Sequence, residues 1–123
     1  MNELNHAFDT VASYFSVLSE PSRLRILHAI CESEKTVSQI VEEVGATQTN
    51  VSRHLSLMHR SGVLARRKEG NLVYYRAADS AMMELCRGVC KRISEGLEEK
   101  APLRRDLLRL LPQAKRKARP KQS

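Results

Sequence analysis

A chain of 123 residues can form one domain with a modest core, and with only 4% aromatic residues and no Trp that core must be aliphatic. The net charge is +7 and the pI near 9.7, but Lys115, Arg116, Lys117, Arg119 and Lys121 carry most of the excess beyond Pro112, where no acid balances them. The body is therefore only mildly basic, and the tail by itself is no argument for a nucleic-acid site. No apolar run approaches the roughly 20 residues that cross a bilayer, which excludes a membrane-spanning helix.

Leu4, Phe8, Val11, Phe15 and Leu18 recur in steps of three and four, which predicts a first helix over about Asn2 to Leu18 with one long apolar seam. Ser19-Glu20-Pro21 predicts the next helix start, with Ser19 as N-cap and Pro21 where its missing N–H costs nothing. Leu24, Leu27 and Cys31 fall on one line of that helix, flanked by Ile26 and Ile30. Thr36 and Gln39 make a capping-box pattern for a third helix that buries Val37, Ile40, Val41 and Val44 and ends at Gly45. Thr47 starts a fourth helix with Val51, Leu55 and Met58 inside; Gln48, Thr49, Ser52, Arg53 and Ser56 face outward, and Ser61-Gly62 stops it. A short helix, a tight Gly turn and a second helix form the helix-turn-helix signature.

Residues 64–77 predict two strands around Glu69-Gly70-Asn71, where Gly and Asn accept the positive φ of a tight turn. The first strand carries Arg66, Arg67 and Lys68, so a basic hairpin, or wing, follows the helix-turn-helix directly. Asp79 or Ser80 caps a fifth helix whose stripe is Met82, Cys86, Val89, Ile93 and Leu97, with Leu85 and Cys90 beside it. Pro102 starts a short last helix with Leu103, Leu107 and Leu110/Leu111 on one side, and Pro112 ends it. The expected organisation is a winged helix-turn-helix and dimerisation domain at 1–98, a short C-terminal helix at 99–112 and a basic disordered tail at 113–123.

Arg23-Leu24-Arg25-Ile26-Leu27, Thr49-Asn50-Val51-Ser52-Arg53-His54-Leu55, Ser61-Gly62-Val63-Leu64 and residues 67–76, ending in Val-Tyr-Tyr-Arg, together resemble the ArsR/SmtB family of winged-helix repressors. The resemblance covers about residues 4–97. It implies a mainly α fold with a β-hairpin wing, a homodimer joined through the first and fifth helices, and a pseudo-palindromic DNA operator. It also implies release on sensing a metal, a metalloid or a reactive sulfur species.

On this reading the fourth helix enters the major groove of double-stranded DNA by its N-terminal half. Thr47 caps it; Gln48 and Asn50 are of the type that pairs bidentately with adenine and Arg53 with guanine, while Thr49 and Ser52 suit phosphate or base edges. Asn50 also falls at the third helical position, where it serves the cap. His54 packs or touches the DNA backbone, and Arg66, Arg67 and Lys68 grip phosphate or the minor groove, which sets affinity rather than sequence.

The family's effector positions are largely empty of ligands in this sequence. A cysteine pair would fall around Val37–Gln39, where there is no thiol. The fifth-helix zinc positions keep Asp79 and Glu95 but carry Ala81 and Arg92 in place of His, and the persulfide-sensing thiols align with His28 and with a position near Ser94. Cys86 and Cys90, at i and i+4, remain as a pair able to take a soft ion, a trivalent metalloid, persulfide or oxidation, with Cys31 or a thiol across the dimer as third ligand. The opposite reading makes all three cysteines small buried hydrophobes. An odd number of cysteines and no secretory signal point to free thiols in a reducing cytoplasm. No cofactor is required, and no Ser/His/Asp grouping, phosphate loop or intact metal triad supports an enzyme. The alternatives are a winged-helix regulator without a small-molecule effector and a non-specific nucleic-acid-binding protein that uses its basic tail.

Overall fold

The computed structural model describes residues 2–110; the expected tail at 113–123, with Leu111 and the Pro112 stop, lies outside the described residues. The element order is α1 (Asn2–Val17), α2 (Pro21–Ala29), β1 (Lys35–Thr36), α3 (Val37–Val44), α4 (Gln48–Arg60), β2 (Leu64–Glu69), β3 (Leu72–Ala77), α5 (Ser80–Glu95) and α6 (Pro102–Leu110). This is the expected mainly helical winged helix-turn-helix with a short last helix. One strand is additional. β1 pairs antiparallel with β3, Lys35 opposite Tyr75 and Thr36 opposite Tyr74, and gives a sheet of order β1-β3-β2. Two residues are too few to show a period of two, so nothing in the sequence marks it.

The core lies between α2, α3, α4 and the sheet: Ile26, Leu27, Ile30, Ile40, Val51, Leu55, Met58, Val63, Leu64 and Tyr75 are buried there, with Val17 and Met82 at its edges. On α2 the buried line is Ile26, Leu27 and Ile30, whereas Leu24 is 42% exposed, so the expected line through Leu24 and Cys31 is off by one position. The cap also shifts. The Ser19 hydroxyl donates back to the Ser16 carbonyl at 2.8 Å and closes α1, which leaves Glu20 to accept the Arg23 N–H at 3.2 Å as N-cap of α2.

The turn chemistry around α3 and α4 follows the sequence closely. Thr36 Oγ1 accepts the Gln39 N–H at 3.3 Å while Gln39 Oε1 accepts the Thr36 N–H at 2.9 Å. Gly45 ends α3 at φ 72°, a left-handed conformation that suits a residue without Cβ. The wing runs in register from Leu64 opposite Ala77 to Glu69 opposite Leu72, leaving a two-residue turn. Gly70 alone supplies its positive φ, 62°; Asn71 does not adopt one, which is the sign pattern of a type II′ rather than a type I′ turn.

Asp79 caps α5 by accepting the Ala81 N–H at 3.0 Å. The expected single stripe on α5 is two lines. Met82, Cys86, Cys90 and Ser94, each four residues apart, turn inward, with Met82 and Ser94 buried. Leu85, Val89 and Ile93 form the neighbouring line and are exposed. The predicted stripe took residues from both, because steps of three and four drift across a helix face. α6 packs along α5, and Arg104 Nε donates to the Ser94 carbonyl at 3.2 Å. Among the described residues, no helix is long and apolar enough to cross a membrane.

Candidate nucleic-acid interface

α4 is held by the helix-turn-helix and shows solvent one face. Val51, Leu55 and Met58 are fully buried beneath it. Thr47 Oγ1 accepts the Asn50 N–H at 3.2 Å, so the Thr47 side chain and the Asn50 backbone are spent on the cap while the Asn50 side chain is exposed. Gln48, Thr49, Arg53 and Ser56 are exposed on the outer face, and Ser52 is half-buried at its edge. No carboxylate lies on the helix, and His59 and Arg60 close its last turn. A face of amide, hydroxyl and guanidinium groups without an acid suits the base edges and phosphates of a major groove.

His54 turns away from this face. It is half-buried against α2, with Nδ1 at 3.4 Å from Arg23 Nη1 and Nε2 at 3.8 Å from Glu20 Oε1.

The wing brings Arg66, Arg67 and Lys68 to the surface, but on different terms. Arg67 Nε donates to both carboxylate oxygens of Glu34 at 3.0 Å, its Nη1 reaches Glu69 at 2.5 Å, and its guanidinium carbon lies 4.4 Å from the centre of the Tyr74 ring. The hydrogen bond from Arg67 holds the Glu34 carboxyl below the usual range, and the two carboxylates raise Arg67 further above its already high value. Arg67 is thus a clamp between the wing and the loop before β1, with its charge answered twice. Arg66 and Lys68 lie on the other face of β2; Arg66 Nη1 is 3.5 Å from the Tyr75 hydroxyl and Lys68 is exposed.

The thiols separate into two places. Cys86 and Cys90 line a small cavity of about 90 Å³ between α2, α5 and α6, walled by Leu24, Leu27, Met83 and Leu110, with His28 at its edge. Burial pushes both thiols up, and the neighbouring Cys90 raises Cys86 further, which favours the thiol over the thiolate at both. Cys31 faces a different cleft, of about 390 Å³, between the loop after α2 and the start of α5, with Arg76 and Arg87 in its walls. Among the described residues no three His, Cys, Asp or Glu side chains converge as a metal cage, and Cys31 lines a different cavity from Cys86 and Cys90. None of the three cysteines forms a disulfide within the chain.

Two groups stand outside the patterns read from the sequence. Glu34 belongs to none of them, and Arg23 only to the family-like run; their partners lie 33 and 31 residues away. No local pattern could have pointed to either contact.

Residues 20–66 match the family described as bacterial regulatory protein, arsR family. The chain is 31% identical over 97 residues to the uncharacterized HTH-type transcriptional regulator Rv0081 of Mycobacterium tuberculosis, covering 78% of this chain and 85% of that one. The crystal structure of Rv0081 superposes with a TM-score of 0.68 over 72% of this chain and 90% of that chain. The homodimeric winged helix-turn-helix DNA-binding domain of Mb0332 from Mycobacterium bovis, 29% identical, gives a TM-score of 0.71 over 79% of this chain and 90% of that one. The cadmium resistance regulatory protein CadC of Lactococcus lactis is 39% identical over 71 residues, 55% of this chain and 60% of that protein.

Proposed function

Because the chain belongs to the ArsR family of winged helix-turn-helix DNA-binding transcriptional regulators, we propose that it works as a homodimeric repressor that reads a pseudo-palindromic operator through α4. The observation that carries this reading is the outer face of α4: exposed, free of acids and seated on a fully buried seam. Gln48, Thr49 and Arg53 are its base readers, and Asn50 joins them through its side chain. Ser52 contributes from the edge, and Thr47 sets where the helix begins. Arg66 and Lys68 contact phosphate from the wing, whereas Arg67 holds the wing in shape. His54 acts through α2 rather than on DNA.

The dimer rests on two bare apolar faces. Phe8 is 65% exposed, in line with Leu4, Val11 and Phe15 on α1, and Val89 is 51% exposed between Leu85 and Ile93 on α5. Apolar seams of this length call for a partner surface, and a second copy supplies the symmetric one. Residues 1–98 form the binding and dimerisation unit, and α6 is an addition that covers the thiol cavity.

Release is assigned to Cys86 and Cys90. Both sulfurs line one cavity, so a thiophilic ion or metalloid, or a reactive sulfur species, can engage the two together. A metal ion must displace two protons that burial holds in place, so capture strengthens as pH rises. Cys86→Ser keeps operator binding and no longer releases it when arsenite, cadmium or polysulfide is added. Unaltered release by all three in that variant places the sensing site elsewhere, and no release of the wild type by any of them favours a regulator without a small-molecule effector.

The test of the reading face is a binding competition between the operator and random duplex. Arg53→Ala loses about 1–3 kcal/mol of discrimination, the value of one bidentate guanine contact. Normal operator preference in that variant removes Arg53 from the groove.

A further inference from the structure

Arg23 stands in the first turn of α2, yet its side chain serves three helices. Its Nε donates to the Val17 carbonyl at 2.6 Å and its Nη2 to the Ser16 carbonyl at 3.1 Å. Both belong to the last turn of α1, whose carbonyls the helix's own ladder leaves over and whose dipole favours a cation. Its Nη1 lies 3.4 Å from Nδ1 of His54, in the middle of α4. Beyond the imidazole, Nε2 of His54 faces Glu20 Oε1 at 3.8 Å, and the same Glu20 oxygen accepts the Arg23 backbone N–H at 3.2 Å.

The protonation pattern follows from these partners. A guanidinium only donates, so in this contact Nδ1 is the acceptor. The imidazole thus lies between the Arg23 guanidinium on one side and the Glu20 carboxylate, 3.8 Å away, on the other. Lysine carries its three donors on one nitrogen, whereas this junction uses three separate nitrogens of the guanidinium.

We propose that Arg23 is a positioning residue for DNA reading: through His54 it locks the angle of α4 to the C-terminal end of α1. This rests on the assignment of α4 to the groove and of α1 to the dimer interface. Its consequence is that the spacing and tilt of the two reading helices are set by the same helix that joins the two copies. Half-sites are read only when both helices arrive at a fixed separation. A loosened α4 therefore loses preference for the operator sooner than it loses attraction to phosphate.

The experiment uses the full-length chain and an operator selected by the wild-type protein from a random duplex library. Affinities for operator and random duplex are measured side by side for Arg23→Lys, His54→Ala, His54→Asn and the double variant Arg23→Lys/His54→Ala. Sedimentation and circular dichroism accompany them. Arg23→Lys and His54→Ala each lower the operator-to-random ratio about tenfold, the effect of one hydrogen bond to a charged group. Random-duplex affinity and the dimer stay unchanged. The double variant falls no further than either single one, as expected of two residues acting as a unit. His54→Asn recovers most of the ratio, since its amide oxygen takes the place of Nδ1. A purely structural role predicts that operator and random affinities fall together with helix content. That result, an unchanged ratio in Arg23→Lys, or additive losses in the double variant overturns the proposal. Arg53→Ala run in parallel separates the premises: if it too leaves the ratio intact, the groove assignment of α4 fails as well.

Discussion

Residues of one chemical type do different work here according to what answers their charge. Arg67 and Lys68 are adjacent on the same strand, but Arg67 spends its guanidinium on Glu34, Glu69 and Tyr74 while Lys68 is exposed. Counterion release counts only phosphates newly neutralised by the protein. Lys68→Ala is therefore expected to flatten the salt dependence of DNA binding by about one unit of slope, and Arg67→Ala to leave the slope nearly unchanged while loosening the wing. Equal flattening by both, measured by titration across a salt series, would contradict the clamp. The same clamp has a pH signature. Because Arg67 depresses the Glu34 carboxyl in the folded chain, its stabilisation is fully present above the ordinary glutamate range and is lost as pH falls through the lower folded value. Glu34→Gln removes that dependence, so its acid unfolding curve is shallower than that of the wild type; superimposable curves would show that the pair adds nothing.

At the scale of elements, α4 depends on its cap and α1 on its missing partner. Thr47→Ala removes the acceptor of the Asn50 N–H and is expected to cost about 1 kcal/mol in thermal or urea unfolding. Placing a carboxylate in the bare seams, Phe8→Glu or Val89→Glu, is expected to give a monomer by sedimentation with operator affinity sharply reduced; a persistent dimer would move the interface elsewhere. Both expectations show what the sequence makes legible. The capping box at Thr36 and Gln39, the Gly45 stop, the Thr47 start and the two-residue turn at Gly70 are local, each decided by residues within one turn of chain. The α4 reading face is legible for the same reason, since its polar and apolar residues alternate with helical period. What the sequence hides is settled between elements. β1 exists only because β3 offers it an edge. The α5 stripe divides because α2 and α6 choose which line faces inward, and Glu34–Arg67 and Arg23–His54 join residues more than two elements apart.

At the scale of the whole molecule, the bare faces of α1 and α5, the reading face of α4 and the thiol cavity belong to one small body. The cavity lies between α5, proposed as half of the dimer interface, and α2, which carries Arg23 against α4. An ion bound by Cys86 and Cys90 would act between the helix proposed to pair the copies and the helix proposed to set the tilt of the readers. The tail at 113–123 carries basic residues and no acid, so its deletion is expected to weaken operator and random duplex alike, and a selective loss of operator binding would give it a reading role. Reading of paired half-sites by two α4 helices is put to the test by methylation interference at guanine N7 on the selected operator, with wild type and Arg53→Ala compared. Two symmetric major-groove patches about one helical turn apart, both lost in Arg53→Ala, are the predicted result; a single unpaired patch, or a pattern unchanged by Arg53→Ala, would contradict it.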